Sequence, residues 1–397
     1  MLKKLIYSLL TGLFVCISGL NAQNELENPD EINGRNLDGE ILQYAVPFLT
    51  IAPDSRAGAM GDAGAATSPD VNSIHWNAAK YAMIEDNAGI SISYTPWLRK
   101  LVNDINLFHL AGFYRLDDKQ VIAGSLLYFS LGEITFTDWY GTVYGQHIPN
   151  EFALDASYSR YLSEKLSMGM TFRFIRSDLT GGQTSESKAG ITGAADISIY
   201  YQTDIEIDEK PAQLAFGTSI TNIGPKISYS VDNQDEEFIP INLRIGGRLT
   251  MDIDEYNKIS FAADINKLLV PTTPVYGDVI DTTTEEREIL KGYDPDVSIP
   301  VGMLHSFYDA PGGFKEEMQE LMFSVGLEYW YSNQFAIRTG YFYEHQNKGG
   351  RKFLTLGIGL KLNVLSMDFA YIVPSGLRDS PLANTIRFSL LFNINTK

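Results

Sequence analysis

Alternation of apolar and polar side chains, recurring from residue 88 to the end of the chain, constrains this sequence more than any other feature. It is plain at Leu166, Met168, Met170, Phe172 and Phe174, whose neighbours are Ser167, Gly169, Thr171 and Arg173. It returns at Ile241, Leu243, Ile245 and Leu249, set against Asn242, Arg244, Gly246 and Arg248. Leu354, Leu356, Ile358, Leu360 and Leu362 repeat it, interleaved with Thr355, Gly357, Gly359 and Lys361. A period of two puts the two sets on opposite faces of a strand. A soluble sandwich also alternates, but it turns its apolar face to a core. The other face decides the matter here, because it carries Arg173, Arg244, Arg248, Arg338, Glu328, Asp264 and Asp368 with many Gly and Ser residues. Such a face suits the lining of a barrel whose apolar exterior meets lipid.

Fourteen strands are predicted, at 88–96, 104–116, 121–131, 151–161, 166–177, 190–202, 213–223, 240–251, 258–267, 320–331, 335–345, 353–362, 364–373 and 384–394. Strands of about ten residues suit a tilted crossing of the bilayer. An even count lets an antiparallel sheet close, so that no strand edge faces lipid unpaired. The predicted fold is therefore all-β, a 14-stranded antiparallel transmembrane barrel. Its connections alternate in length. The longer ones are 97–103, 132–150, 178–189, 224–239, 268–319, 346–352 and 374–383. The shorter ones include 117–120, 162–165, 332–334 and the turn at Asn363, while 203–212 is longer than its class. Outer-membrane barrels have short periplasmic turns and long outer loops, which places the 52-residue connection 268–319 outside. Tyr94, Trp97, Tyr200, Tyr201, Tyr329 to Tyr331 and Tyr341 to Tyr343 gather near strand ends, as interfacial aromatics do.

The amino terminus reads as an export signal over 1–22. Lys3 and Lys4 precede an apolar run from Leu5 to Ile17, and Leu20-Asn21-Ala22 offers a cleavage site. Cys16 falls inside the signal, so the mature chain from residue 23 has no cysteine and no disulfide framework. Cleavage leaves 29 basic against 49 acidic residues, a net charge of −20. That balance argues against a nucleic-acid partner, which needs a basic face.

Between signal and barrel lies 23–87, a predicted plug for the lumen. Its centre, "RAGAMGDAGAATSPDVNSIHWNAAKYA", is rich in Gly and Ala, which permits close backbone packing. Asp70, Asn72 and Asn77 are expected to bond to lumen groups. Gly58, Gly61 and Gly64 are not spaced as a dinucleotide fingerprint, and no βαβ unit surrounds them. The stretch 70–77 lacks the glycine and terminal glutamate of a calcium loop. His75, His109, His147, His305 and His345 are scattered without metal-ligand spacing, and no G-x-S-x-G elbow occurs. No catalytic, cofactor or metal residue is assigned.

"SRAGAMGDAGAATSPDVNSIHWNAA" resembles the amino-terminal hatch of the FadL-like outer-membrane transporters, which have fourteen-stranded barrels. "VPFLTIAPDSRAGAMGDAGAA", "WNAAKYA", "SITNIGPKISY" and "FIPINLRIG" bring the closer likeness, to the PorV family of the Bacteroidota type IX secretion system. The hatch residues that carry the resemblance are Arg56, Gly58, Gly61, Asp62, Gly64, Trp76 and Asn77. It implies a barrel in the cell outer membrane that accepts secreted cargo by its C-terminal signal domain and passes it to a surface attachment complex. The implied partners are a giant translocon barrel (SprA/Sov-like), the cargo signal domains, a PorU-like peptidase and outer-membrane lipid. The alternative is a FadL-like channel for hydrophobic small molecules, which needs an apolar lumen pocket. Docking instead needs exposed, shaped loops. Leu269, Val270, Met303, Leu304, Phe307, Tyr308 and Phe314 in 268–319 supply apolar patches for it or for packing of that loop over the barrel mouth, and Phe136, Trp139 and Tyr140 in 132–150 a second set.

Overall fold

A computed structural model describes residues 41–394 apart from 100, 101, 103, 182–185, 234, 281–286, 375–381, 383 and 384. The export signal, 1–22, lies outside the described residues.

The sheet is a closed antiparallel barrel of fourteen strands. They are β1 (Ala88–Pro96), β2 (Asn106–Asp117), β3 (Gln120–Ser130), β4 (Asn150–Ser163), β5 (Leu166–Asp178), β6 (Gly190–Ile207) and β7 (Lys210–Ile223). The second half comprises β8 (Asn242–Asp252), β9 (Asn257–Leu268), β10 (Met322–Tyr331), β11 (Phe335–Tyr343), β12 (Lys352–Leu362), β13 (Leu365–Pro374) and β14 (Ile386–Ile394). Each pairs with its neighbours in sequence, and Ala88–Tyr94 of β1 pairs with Phe388–Ile394 of β14 to seal the ring. Closure leaves no edge of the ring unpaired, which a bilayer requires.

The alternation resolves as expected. Phe172, Ile245, Leu356, Ile358 and Ile386 point outward and are exposed. Arg173, Arg244, Arg248, Asp264, Glu328, Arg338 and Asp368 point inward and are buried. Ile241 departs from its set and is fully buried, because it precedes β8 and joins the core at the long-connection end.

One connection differs from the sequence reading. β6 and β7 run on to Ile207 and Lys210, so 203–212 is not a long connection but a two-residue turn at Asp208-Glu209. Both turn residues have positive φ, 50° and 62°, as a type I′ hairpin demands. Asp204, Glu206, Glu209 and Lys210 hide this extension, since the charges break the apolar alternation although the ladder continues.

Residues 41–87 fill the lumen in two layers. Leu42, Val46, Phe48 and Leu49 lie at the long-connection end, packed among Leu107, Phe129, Ile175, Phe342, Phe353 and Ile372. Ala45 N–H donates to the Phe238 carbonyl there, at 2.8 Å. Residues 52–87 fill the remainder with short helical turns, Ser55–Gly58, Ser73–Trp76 and Ala78–Met83. The long connection 268–319 is itself folded, with a hairpin (Val275–Ile280 against Arg287–Lys291) and two helices, Ile299–His305 and Phe314–Gln319.

Candidate functional site

Arg56, the first charged residue of the hatch helix, ties the lumen together. It donates to both oxygens of Glu328 on β10, at 3.0 and 2.9 Å, and to Asp70 at 2.9 Å. Glu328 also accepts from Arg338 of β11 at 2.7 Å, its direct cross-strand partner. Arg338 continues to Asp368 on β13, at 2.5 Å. This line of alternating charges, Asp70–Arg56–Glu328–Arg338–Asp368, lies almost entirely out of water. Burial opposes the charge on Arg56, but Glu328 and Asp70 outweigh it and raise its pKa further. Breaking such a pair costs about 3–5 kcal/mol, because it strands a buried charge.

The glycine positions answer the small-residue composition. Gly61 sits at φ 67°, where a side chain would strike the backbone of Tyr341. The wall is recessed to match: a Cβ on Gly340 would lie 2.1 Å from the Met60 carbonyl carbon, and one on Gly217 would lie 2.0 Å from the Ala65 oxygen. Such distances forbid any side chain while the hatch is seated. A Cβ on Gly58 would meet Arg387, which donates to Asp62 at 3.0 Å. Asp264 accepts from the Gly64 and Ala65 N–H groups, at 2.6 and 2.8 Å.

Trp76 packs over Gly64 and donates from its indole to Asp54 at 2.6 Å. The Arg244 guanidinium stands 4.7 Å from its ring centre. Asp54 also caps the Ser55–Gly58 helix through Ala57 N–H. Burial, reinforced by Asp70, pushes the Asp54 carboxyl up to about 6. Burial pulls Lys80 down to about 8, and its ammonium donates to the Gly64 carbonyl and to Thr67. A circuit of wall hydroxyls meets the hatch backbone: Ser159 with Ala78, Ser167 with Ala79, Ser219 with Trp76 and Thr355 with Ala59. Ser389 of β14 accepts from Ser55 N–H at 2.9 Å and bonds to Ser93 of β1 at 2.7 Å.

Arg56, Gly58, Gly61, Asp62, Gly64, Trp76 and Asn77 are thus all brought into one packed layer. The expectation for the polar residues needs correction. Asn77 alone of the three bonds to the wall directly, at the Ile199 carbonyl. Asp70 and Asn72 bond within the hatch, because Asp70 is turned toward Arg56 and accepts the Asn72 N–H. Sequence reasoning passed over Asp54, Lys80 and the wall serines. It also missed the apolar layer at 42–51, whose signal was the cluster Leu42, Val46, Phe48 and Leu49.

At the other end the loops form a surface. Leu269 and Val270 do not belong to it: both are buried in the core, because 268–319 folds back over the mouth. Lys267 pairs with Glu317 and Glu320, and Lys348 with Glu316 and Glu320, which pins that loop in place. Leu304, Phe307 and Tyr308 remain exposed, Phe314 is 80% exposed, and Met303 is half-buried. Tyr308 sits edge-on to Tyr293 and tilted against His305, with the three ring centres 5.5–5.8 Å apart. On the separate connection between β3 and β4, Trp139 and Tyr140 are fully exposed at the tip of a hairpin, while Phe136 is half-buried. Asp138 stiffens that tip by accepting from Tyr140 and Thr142 N–H groups. Among the described residues, no three His, Cys, Asp or Glu side chains group as metal ligands.

A closed fourteen-stranded barrel with a lipid-facing exterior and an internal hatch defines an outer-membrane β-barrel protein. The chain belongs to the PorV family: the family model for type IX secretion system protein PorV matches residues 35–275. None of the curated proteins compared with it matches. Among solved structures, it is similar to the toluene transporter TodX of Pseudomonas putida, with 12% identity and TM-score 0.48 over 86% of this chain and 98% of that one. The CymD monoaromatic hydrocarbon channel is similar at 12% identity and TM-score 0.47, over 89% of this chain and 100% of that one. A Pseudomonas aeruginosa FadL homologue gives 10% identity and TM-score 0.39, over 89% and 99%.

Proposed function

We propose that this barrel is a docking and handover component of the type IX secretion system. It takes secreted cargo by the C-terminal signal domain at the translocon and delivers it to the surface attachment complex. The long connections face outward, and the export signal is removed at Ala22. The partners in this reading are a SprA/Sov-like translocon barrel, the cargo signal domains and a PorU-like peptidase. One observation carries it: residues 42–87 occupy the lumen from the long-connection end to the start of β1. With the lumen so filled, the outward loops are the surfaces left for a partner.

The exposed residues of the 268–319 loop supply the binding face, since anchored aromatic and aliphatic side chains carry most of the energy of such contacts. Replacing Leu304, Phe307, Tyr308 and Phe314 together by serine tests this. The variant should assemble in the outer membrane at normal level, while cargo release to the cell surface collapses. Normal release would reject the loop as the handover site. Recovery of a very large barrel, or of a peptidase, with the detergent-solubilised protein would support secretion, and uptake of a labelled fatty acid would support the channel.

A further inference from the structure

The two layers of residues 41–87 leave a cavity of about 50 Å³ inside the lumen. Tyr44, Leu49 and Thr50 line it from the loop-end layer, and His75 lines it from the hatch layer. The barrel wall contributes polar side chains: Arg173 on β5, Asn222 on β7, Asn242 and Arg244 on β8, and Asn266 on β9. Arg351, just before β12, adds a third guanidinium, and apolar side chains complete the lining. Among the described residues no carboxylate lines this cavity, on a chain with 49 acidic residues.

Two of the three guanidiniums are neutralised by carboxylates behind the lining. Arg173 pairs with Asp155 at 2.8 Å and with Asp196 at 3.2 Å, and Arg351 pairs with Glu344 at 2.8 Å. Arg244 is buried as well, yet it forms no ion pair among the described residues. Its Nε donates to Asn266 Oδ1 at 2.7 Å and its Nη1 to the Trp76 carbonyl at 3.3 Å, while Nη2 has no acceptor among the described residues. Asp264, two residues from Asn266 along β9, is turned instead to the Gly64 and Ala65 N–H groups. A buried charge needs a counter-charge or a full set of hydrogen bonds, and Arg244 has neither. Asn242 stands two residues away on the same inward face, 7% exposed, and its Oδ1 has no hydrogen-bond partner. Either end of that amide can face the cavity, so it can present its NH₂ there. Asn266 spends its oxygen on Arg244, which leaves its own NH₂ to donate.

We propose that this cavity binds a small monovalent anion, chloride in a saline medium, between the Arg244 guanidinium and the amides of Asn242 and Asn266. The volume exceeds the roughly 10–15 Å³ that one water needs. It falls far below the roughly 300–1,000 Å³ of pockets for organic ligands. Water alone would fill the space but would leave Arg244 without a counter-charge. The anion joins wall strands to both layers of the lumen filling, so only the folded barrel offers the site, and binding stabilises that state. The inference is independent of the cargo-handover reading.

The test uses the purified full barrel in detergent, refolded or exhaustively exchanged into sodium gluconate, whose anion is too large for the cavity. Sodium chloride, bromide or nitrate then replaces gluconate stepwise at constant sodium concentration, and thermal unfolding is followed. The small anions should raise Tm along a saturating curve. Arg244→Gln should unfold at one temperature in all four salts. Asn242→Asp places a carboxylate beside Arg244, so it should lose the response too, and its Tm in gluconate should reach that of the parent in chloride. This second variant decides the proposal even if Arg244→Gln does not assemble. Equal Tm of the parent in chloride and gluconate would mean that water alone fills the cavity and would overturn the proposal. A chloride response that persists in Asn242→Asp would overturn it as well, because the effect would then lie elsewhere on the barrel.

Discussion

The hatch is held differently at the two ends of the lumen. Toward the short turns, the hatch is held by charge and by backbone contact: Arg56 with Glu328, Arg387 with Asp62, Gly61 against Tyr341. Toward the long connections, Leu42, Phe48 and Leu49 meet Phe129, Phe342 and Phe353 in an apolar layer, and exposed aromatics stand above it. The same alternating strands serve both, since each inward face turns from polar to apolar along its length. Charge pairs and recessed glycines accept a single arrangement, because a shifted pair strands a buried ion and a shifted backbone collides. Apolar packing specifies position less sharply and tolerates exchange of similar residues. The short-turn half is thus the fixed anchor; at the loop end Lys267 and Lys348 with Glu316, Glu317 and Glu320 pin 268–319, and the exposed side chains above are the part free of such constraint.

Several substitutions sharpen or break that contrast. The largest effect belongs to Glu328→Ala, which removes the carboxylate that Arg56 and Arg338 share, leaves each with a single aspartate, and should cost about 3–5 kcal/mol. It should lower the temperature of heat-modifiability on gels, and an unchanged transition would show that the ionic line does not anchor the hatch. Gly340→Leu forces the Met60–Gly61 backbone away and should cost about 1–3 kcal/mol by overpacking. Its diagnostic readout is conductance in planar bilayers, which should appear in the variant and be absent in the parent. Trp76→Phe keeps the ring over Gly64 but removes the bond to Asp54. The stranded acceptor should cost about 1–3 kcal/mol, at the lower end because Ala57 still donates to that carboxylate. Changes in the other half contrast with these: the Leu304, Phe307, Tyr308 and Phe314 serine variant should leave unfolding within about 0.5 kcal/mol.

A further effect is one of pH. Asp54 titrates near 6 in the folded protein, above the ordinary aspartate value of 3.8. A raised carboxyl favours the folded state while protonated, so its contribution is full below about pH 4 and is lost as the pH rises through 6. Asp54→Asn should flatten that part of the stability profile, measured by thermal unfolding in detergent between pH 4 and 7. An unaltered slope would remove Asp54 from the account.

Much of this was legible in the residues. The strands show because lipid demands an apolar side chain at every second position, and that demand survives in sequence without any knowledge of partners. The extension of β6 and β7 past the apolar band was hidden for the same reason: beyond the band, Asp204 and Glu206 obey no such demand. In the hatch, composition announced close packing, and the Arg56 to Asn77 set did converge. Which carboxylate meets which arginine was not legible, because Asp70 and Glu328 reach Arg56 from segments far apart in the chain. For Leu269 and Val270 the sequence leaves partner contact and packing over the mouth both open, and the fold of 268–319 buries them in the second way.

The seam of the ring has a consequence for how the protein is made. Ser93 and Ser389 join the first strand to the last, and the second of these hydroxyls also receives Ser55 N–H from the hatch. Closing the circle and seating its stopper therefore share one atom, and neither is complete without the other. An assembly machine that zips the final strand home inspects the interior in the same act, so a barrel with a misplaced core should stall at its last stitch instead of reaching the membrane as a leak.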